Sequence, residues 1–312
     1  MVRTLASACV ALVILGACGG TDQASPGGSE VSVVATLYPA AFLAERIGGE
    51  RVGVVELAPA GAEPHDLELT AGQVRDLTEA DLVVYAGEGF QPAVEDAVAD
   101  LPEDATFDIL AWRPNAHEDK EEEEAHGSND HADEDHADDD HGEIDPHIWL
   151  NLEAMPVIAE GLAAHLAEAD PDGAATYRAN AADLIDELRD LDDDFAAGLR
   201  DCERRQIVVS HQAFGYLADR YDLEEVALAG LDPEAEPSPG RLAEVTEFAR
   251  EHGITTVFYE ELTSPAAAET LAAELGLETS VLSPLETRPA EGDYISAMQT
   301  NLANLRDALD CD

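Results

Sequence analysis

Basic side chains are scarce in this chain of 312 residues, which carries 16 Lys and Arg against 68 Asp and Glu. The formal net charge of −52 excludes nucleic acid as an expected partner, because proteins that bind nucleic acid need a basic surface. An acidic surface of this size fits a salt-rich habitat, where counter-ions screen the self-repulsion that would oppose folding. We interpret the charge as an adaptation and not as part of a mechanism.

Long apolar runs are absent as well, since no stretch beyond the first residues reaches the roughly 18 apolar residues of a membrane-spanning helix. The first residues read as an export signal, with Arg3 ahead of an uncharged run from Leu5 to Ala17. The run ends at Leu15-Gly16-Ala17-Cys18, which resembles a bacterial lipobox. This pattern predicts a lipoprotein signal peptide over residues 1–17 and a lipid on Cys18. A plain secretory signal and an N-terminal anchor remain the alternatives.

The mature chain would therefore start with a Ser- and Gly-rich stretch over residues 18–30, which predicts a flexible tether. A lipid at its first residue would hold the protein outside the cytoplasm, on the outer face of the cell membrane. Cysteines are few: Cys9 leaves with the signal and Cys18 carries the lipid, so that Cys202 and Cys311 remain. An oxidising compartment favours a disulfide between these two, and two buried thiols are the alternative.

Signatures of the common enzyme classes are also missing. The chain contains no HExxH sequence, no Gly-x-Ser-x-Gly elbow and no Gly-rich phosphate loop. Nothing in the sequence therefore supports catalysis, and we do not expect an enzyme.

Strand and helix patterns alternate in two parts of the chain, which predicts an α/β fold with mainly parallel sheets. The first part has strand patterns at 31–36, 52–57 and 81–85 and helix patterns at 39–47, 70–78 and 92–99. The second has strand patterns at 206–210, 225–228, 255–259 and 280–282 and helix patterns at 213–220, 241–252, 265–275 and 294–309. Thr70 is a plausible N-cap of its helix. We predict an N-terminal lobe over residues 31–170 and a C-terminal lobe over residues 201–312.

A helical pattern without interruption runs from about residue 174 to residue 199 and connects the two lobes. At about 1.5 Å per residue, such a helix is nearly 40 Å long. We expect residues 171–200 to form one rigid linking helix. Because a rigid connection limits hinge bending, ligand capture should depend on local loop movement.

A His-, Asp- and Glu-rich tract over residues 115–144 interrupts the N-terminal lobe and has almost no apolar side chains. Such a composition predicts a mobile loop, because it cannot bury enough surface to offset ordering. Its histidines lie among carboxylates and predict weak auxiliary metal binding; an acidic solvated linker is the alternative. These histidines are His117, His126, His131, His136 and His141.

Three other histidines, His65, His147 and His211, occupy predicted loops, and His65 and His211 closely follow predicted strands. Ligands of open α/β sheets bind beyond the carboxyl ends of strands, so these imidazoles could meet. Three neutral imidazole nitrogens suit zinc and leave one coordination position open. Asp66 or Asp145 could orient an imidazole through its other nitrogen. Their spacing forms no compact zinc motif, and each histidine alone would more often be a surface residue.

Four segments resemble the zinc/manganese substrate-binding lipoproteins of ABC importers, in the same order along nearly the whole mature chain. The segments are residues 63–70, 145–151, 208–217 and 292–302. The resemblance implies two α/β lobes with the metal between them, a monomer, and an ABC permease with its ATPase as partners. The His-rich tract ahead of the second segment is typical of the zinc-specific branch.

The resemblance also implies metal ligands at His65, His147 and His211. Manganese-binding relatives place a carboxylate at the third position, so His211 favours Zn²⁺ as the transported ion. A manganese or iron carrier of the same family is the alternative, and a zinc-dependent hydrolase is a more distant one. Affinity should fall below about pH 6, where protons compete for imidazole.

The fourth ligand is where the sequence departs from the family. Ser283 stands where relatives carry an Asp, so the site would be completed by water or by a nearby carboxylate. The candidates are Glu63, Glu260 and Glu286, and the sequence does not choose among them.

Overall fold

The computed structural model describes residues 30–58, 61–65, 67–112, 144–233, 235–260 and 265–312. The predicted signal peptide, Cys18, Asp66 and the five histidines of the acidic tract lie outside the described residues. Within the described part, two four-stranded sheets form, with every strand pair parallel. The prediction of two α/β lobes is confirmed. None of the helices in these ranges combines the length and apolar character that crossing a bilayer requires.

The N-terminal lobe has the sheet order β2-β1-β3-β4. Its elements are β1 (Val31–Ala35), α1 (Tyr38–Gly48), β2 (Val52–Glu56), α2 (Ala71–Glu79), β3 (Leu82–Tyr85), α3 (Pro92–Val98) and β4 (Thr106–Asp108). Thr70 is the N-cap of α2, as predicted, and its hydroxyl accepts a hydrogen bond from the Gln73 amide at 3.3 Å. Strand β4 was not predicted, because three residues are too few to show a period.

Two helices lead from this lobe to the next, α4 (Ala154–Ala169) and α5 (Ala174–Gly198). Helix α5 is the predicted linking helix, and its 25 residues span about 37 Å at 1.5 Å per residue. One face of α5 is buried at intervals of three or four residues, while its other side chains face outward. The buried residues are Tyr177, Ala181, Leu184, Leu188, Leu191 and Phe195. Burial of that apolar stripe, and not helix propensity, fixes α5 in place.

The C-terminal lobe repeats the topology of the first, with the sheet order β6-β5-β7-β8. Its elements are β5 (Gln206–Val209), α6 (Gly215–Arg220), β6 (Glu224–Ala227), α7 (Pro239–Glu251), β7 (Thr256–Tyr259), α8 (Ala266–Leu275), β8 (Glu278–Val281) and α9 (Tyr294–Leu309). Ligands of α/β proteins bind beyond the carboxyl ends of parallel strands, so each of the two sheets has one edge at which a site can form.

One apolar core continues through both lobes. It includes Val33 and Phe42 of the first lobe, Leu188 of α5, and Ile207 and Leu305 of the second lobe. Smaller clusters fill the outer layer of each lobe separately. Because the two lobes share close-packed interior, large movement of one against the other would expose apolar surface.

A disulfide joins Cys202 to Cys311 across a sequence separation of 109 residues. Cys202 lies between α5 and β5, and Cys311 follows α9, so the bond closes the C-terminal lobe on itself. Such a cross-link stabilises the fold mainly by restricting the unfolded chain.

Candidate metal centre

Three histidines that are distant in sequence converge at the cleft between the lobes. His65 follows β2, His147 precedes α4, and His211 follows β5. Their ring centroids lie 5.5 Å apart for His65 and His147, 5.4 Å for His147 and His211, and 6.2 Å for His65 and His211. His147 and His211 are fully buried, whereas His65 keeps 15% of its side chain exposed. The structure therefore brings together the three histidines that the sequence singled out.

The Glu286 carboxylate completes this group, which we call the four-residue cluster. Its Oε1 lies 3.0 Å from Nε2 of His147, 3.4 Å from Nε2 of His65 and 3.6 Å from Nε2 of His211. One ligand atom from each residue falls within 4.8 Å of the others. Glu286 is 3% exposed, in the loop after β8. Of the three glutamates considered from the sequence, only Glu286 joins this group.

Carboxylates hold the opposite nitrogens of the two buried histidines. Nδ1 of His147 donates to Asp145 at 2.7 Å, and Nδ1 of His211 donates to Glu260 at 2.5 Å. With Nδ1 protonated in this way, each neutral ring presents the Nε2 lone pair to the centre. Glu260 therefore orients a histidine from behind, although the sequence had left it as a possible fourth ligand.

The loop that carries His65 is held in place by hydrogen bonds from a buried side chain. Gln91, which is buried, donates from Nε2 to the Pro64 carbonyl at 3.1 Å and to the Thr36 carbonyl at 3.3 Å. The Glu63 carboxylate accepts from the His65 amide at 3.2 Å, so it too supports the loop. Sequence reasoning missed Gln91, because a polar residue at a helix start reads as exposed.

The C-terminal lobe supports Asp145 in turn. The Tyr216 hydroxyl donates to the Asp145 carbonyl at 3.1 Å. A Cβ at Gly215 would lie 2.8 Å from Oδ2 of Asp145, so only glycine lets α6 begin this close. The same neighbourhood buries Glu225, whose carboxylate accepts from the Phe214 amide at 3.0 Å.

Burial and neighbouring charges shift the pKa values of the cluster residues in opposite directions. Burial lowers the pKa of His147, but its hydrogen bonds to Asp145 and Glu286 outweigh this and raise the pKa to about 9. For His211, burial is likewise outweighed by the carboxylates of Glu260 and Glu286, which lie 2.5 Å and 3.6 Å from its two ring nitrogens, and the pKa rises to about 10. Burial acts to raise the pKa of Glu286, yet its three histidine partners hold it well below the usual range. At neutral pH the raised pKa values therefore place an ionised Glu286 between the protonated rings of His147 and His211.

Two carboxyls beside the cluster have raised pKa values. Burial, with the charge of Glu286, raises the pKa of Glu63 to about 8, so Glu63 is mostly protonated at neutral pH. Burial, with the charge of Asp145, raises the pKa of Glu225 to about 7, so Glu225 is only partly ionised there. Both groups therefore add less negative charge beside Glu286 than ordinary carboxylates would.

The four-residue cluster fits a divalent cation. Nε2 of His211 is buried and has no hydrogen-bond partner among the described residues, so this nitrogen is available to bind an ion in place of its proton. Three imidazole nitrogens and one carboxylate oxygen make four donors, the number and kind that zinc takes in its usual four-coordinate sites. Ser283 takes no part, because its Oγ accepts from the Leu285 amide at 3.3 Å.

The remaining described histidines lie elsewhere. His165 donates from Nε2 to the Asp104 carbonyl at 3.0 Å, and His252 donates from Nδ1 to the Phe248 carbonyl at 3.0 Å. Both have structural partners and neither belongs to the cluster.

Comparisons with known proteins agree on one family. The family model described as ZnuA, zinc-uptake complex component A periplasmic, matches residues 33–308. The zinc-binding lipoprotein AdcA of Streptococcus pneumoniae (strain ATCC BAA-255 / R6) is 37% identical over 321 residues, covering 98% of this chain and 60% of AdcA. The chain thus spans about 60% of the length of AdcA.

A second relative matches along almost its entire length. The high-affinity zinc uptake system protein ZnuA of Bacillus subtilis (strain 168) is 34% identical over 316 residues, covering 97% of this chain and 95% of that protein. The crystal structure of the Zn(II)-bound ZnuA-like domain of S. pneumoniae AdcA superposes with a TM-score of 0.72 at 33% identity. That superposition covers 91% of this chain and all of the domain. The sequence comparisons and the fold comparison therefore match this chain to the same group of zinc-binding proteins.

The raised pKa values predict how zinc binding would depend on pH. Protonated rings cannot bind a cation, so zinc affinity should keep rising with pH up to about pH 10, the pKa of His211, instead of levelling near pH 6.5. At pH 7.5 each zinc ion should displace about two protons, from His147 and His211. Calorimetry in buffers of different ionisation enthalpy measures this number.

The control is His211→Asn, which should release about one proton fewer. Binding without proton release at pH 7.5 would show that both rings are already neutral and that their pKa values are not raised.

Proposed function

Because this chain belongs to the ZnuA family of zinc-uptake components, we propose that it captures Zn²⁺ outside the cytoplasm and delivers it to an ABC-type importer. The observation that carries this proposal is the convergence of three imidazole Nε2 atoms and one carboxylate oxygen in a buried cleft. The ligands would be His65, His147, His211 and Glu286. Zn²⁺ is the cargo of this site and takes no part in a reaction.

Zinc is favoured over manganese by the donor atoms. Imidazole nitrogens suit zinc, whereas manganese prefers an oxygen-rich, octahedral set. Three of the four donors here are nitrogens, and the fourth is a single carboxylate oxygen. A manganese or iron carrier would need more oxygen ligands than the cluster supplies.

A carrier is favoured over a hydrolase by the fourth donor. Catalytic zinc sites hold the metal with three protein ligands and keep the fourth position for water. Here Glu286 reaches that position, so a four-coordinate ion would have no place for an activated water. The family consists of solute-binding components and not of enzymes.

The ion would enter by a cavity of about 250 Å³ next to Glu286, at the junction of the lobes. Glu63 of the first lobe and Glu260 of the second line this cavity. Glu286 itself lines this cavity, so the cavity opens onto the cluster. The shared apolar core limits movement of whole lobes, so release would depend on the loops around this cavity.

The partners proposed are an ABC permease and its ATPase, with the protein acting as a monomer. We further propose the predicted division into residues 1–17 as signal peptide, 18–30 as tether, 31–170 and 201–312 as lobes, and 171–200 as linking helix. The histidines of the tract at 115–144 would bind additional zinc weakly.

Competitive titration with zinc and manganese tests the site. Metal-free mature protein should bind one zinc tightly and manganese poorly. His211→Glu should weaken zinc binding by more than about 100-fold, which is more than the loss expected when a residue that only orients a ligand is removed. His165→Gln is the matched control, because His165 is a half-buried histidine outside the cluster, and it should bind zinc normally.

The same titration on a chain that lacks residues 117–141 should keep the tight site and lose weaker ones. Stronger binding of manganese than of zinc by the unaltered protein would contradict the proposal. Tight zinc binding by His211→Glu would move the site away from the cluster.

The lipid anchor is tested by Cys18→Ala. If Cys18 carries the lipid, the unaltered protein should fractionate with the membrane and incorporate labelled fatty acid, and the variant should do neither after export. Unaltered protein found free in the medium would instead indicate a plain secretory signal. Membrane-bound but unlabelled protein would indicate an uncleaved N-terminal anchor.

A further inference from the structure

The loop that carries Glu286 is held in a backbone conformation that its sequence does not favour. Leu285, directly ahead of Glu286, has a φ of 58°. This left-handed region is unfavourable for a residue with a Cβ, and such residues persist only where surrounding contacts impose them. The direction of the Glu286 side chain therefore depends on whatever fastens this loop.

Three contacts fasten the loop to the N-terminal lobe. The Trp149 indole donates to the Pro284 carbonyl at 2.6 Å, and the Tyr38 amide donates to the Glu286 carbonyl at 3.1 Å. Both of these bind the loop through its backbone. The third contact is made by a side chain of the loop itself, Arg288, two residues beyond Glu286.

The Arg288 guanidinium bridges two glutamates of the opposite lobe. It lies 2.8 Å from Oε1 and 3.3 Å from Oε2 of Glu45 on α1, and its Nε lies 3.0 Å from Oε2 of Glu56 on β2. It also lies 4.9 Å from the ring centroid of Tyr38, the residue whose amide binds the Glu286 carbonyl. This planar fork meets two carboxylates and a ring face at once, which a lysine cannot do.

We propose that Arg288 is a positioning residue for the metal site, which locks the strained loop against α1 and β2 and so holds the Glu286 carboxylate among the three histidines. The proposal rests on the proposed function of zinc capture. Without the Arg288 bridge, Leu285 can relax, Glu286 withdraws from the cluster, and zinc leaves faster. Arg288 controls retention of the ion through Glu286 and does not contact the ion.

The position of Arg288 allows this contact to break and reform. Its side chain is 40% exposed, that of Glu45 is 44% exposed and that of Glu56 is 17% exposed, whereas Glu286 is buried. Solvent screening makes half-exposed ion pairs weaker than buried ones, so the lock should slow release without making it negligible. A carrier must give up its ion, and a lock of moderate strength serves that need.

The test is the rate of zinc release from the loaded mature protein into excess chelator, followed by stopped flow. Arg288→Gln should release zinc about five- to tenfold faster, the range expected for a half-exposed but bidentate contact. Arg288→Lys should recover part of this loss. Glu45→Gln, which removes the bidentate partner but keeps the arginine, should also accelerate release and serves if Arg288→Gln folds poorly.

Arg46 provides a matched control. It pairs with Glu187 at 2.7 Å and lies 5.5 Å from the ring centroid of Phe42 on the same helix α1, with similar exposure, but it does not touch the loop. Arg46→Gln should therefore leave the release rate within about twofold of the unaltered protein.

Two further measurements separate positioning from general destabilisation. In a Glu286→Gln background, Arg288→Gln should add less than about a twofold change, because residues that act through each other are not additive. Cobalt loaded in place of zinc should show the visible bands of a four-coordinate ion, and Arg288→Gln should shift them, because water replaces the Glu286 carboxylate as a donor.

Release and cobalt bands unchanged in Arg288→Gln would overturn the proposal, as would equal acceleration with and without Glu286. Failure of the unaltered protein to bind zinc is a distinct result. It would overturn the proposed function, and this inference with it.

Discussion

The contact between one buried carboxylate oxygen and three imidazole nitrogens is the constraint on which the rest of this structure depends. The Oε1 atom of Glu286 lies within 3.6 Å of all three Nε2 atoms, although His65 and His147 belong to one lobe and His211 and Glu286 to the other. Polar groups so deeply buried are costly unless each is paired. In the metal-free protein the protonated rings of His147 and His211 and the ionised Glu286 provide that pairing for one another.

The surrounding structure maintains this arrangement from both sides. Asp145 and Glu260 fix the Nδ1 atoms, so that the Nε2 atoms point inward, and a continuous apolar core joins the two lobes. Zinc then replaces protons in a centre that is already formed. Such preorganisation lowers the cost of ordering side chains on binding. Because the rest of the centre is held in place, the movement that releases zinc has to come from the loop that carries Glu286.

Much of the fold could be predicted from residue patterns, because the strands and helices are regular and the linking helix has a clear apolar stripe. The failures are local: β4 has only three residues, and α6 begins at Gly215 instead of 213.

The three histidines of the site could be predicted from loop positions and family resemblance. The choice among Glu63, Glu260 and Glu286 could not, because all three lie in loops and side-chain direction there depends on tertiary contacts. The left-handed Leu285 and the Arg288 bridge, which aim Glu286, leave no periodic signal in the sequence.

X-ray absorption at the zinc edge tests the central claim most directly, since it counts the ligand atoms around the ion. One equivalent of zinc on the mature protein should show three imidazole nitrogens and one carboxylate oxygen, all at about 2.0–2.2 Å. In Glu286→Gln the three imidazoles should remain and the carboxylate should be lost. Fewer than three imidazoles, or a shell of six oxygens, would contradict a zinc site built from His65, His147, His211 and Glu286.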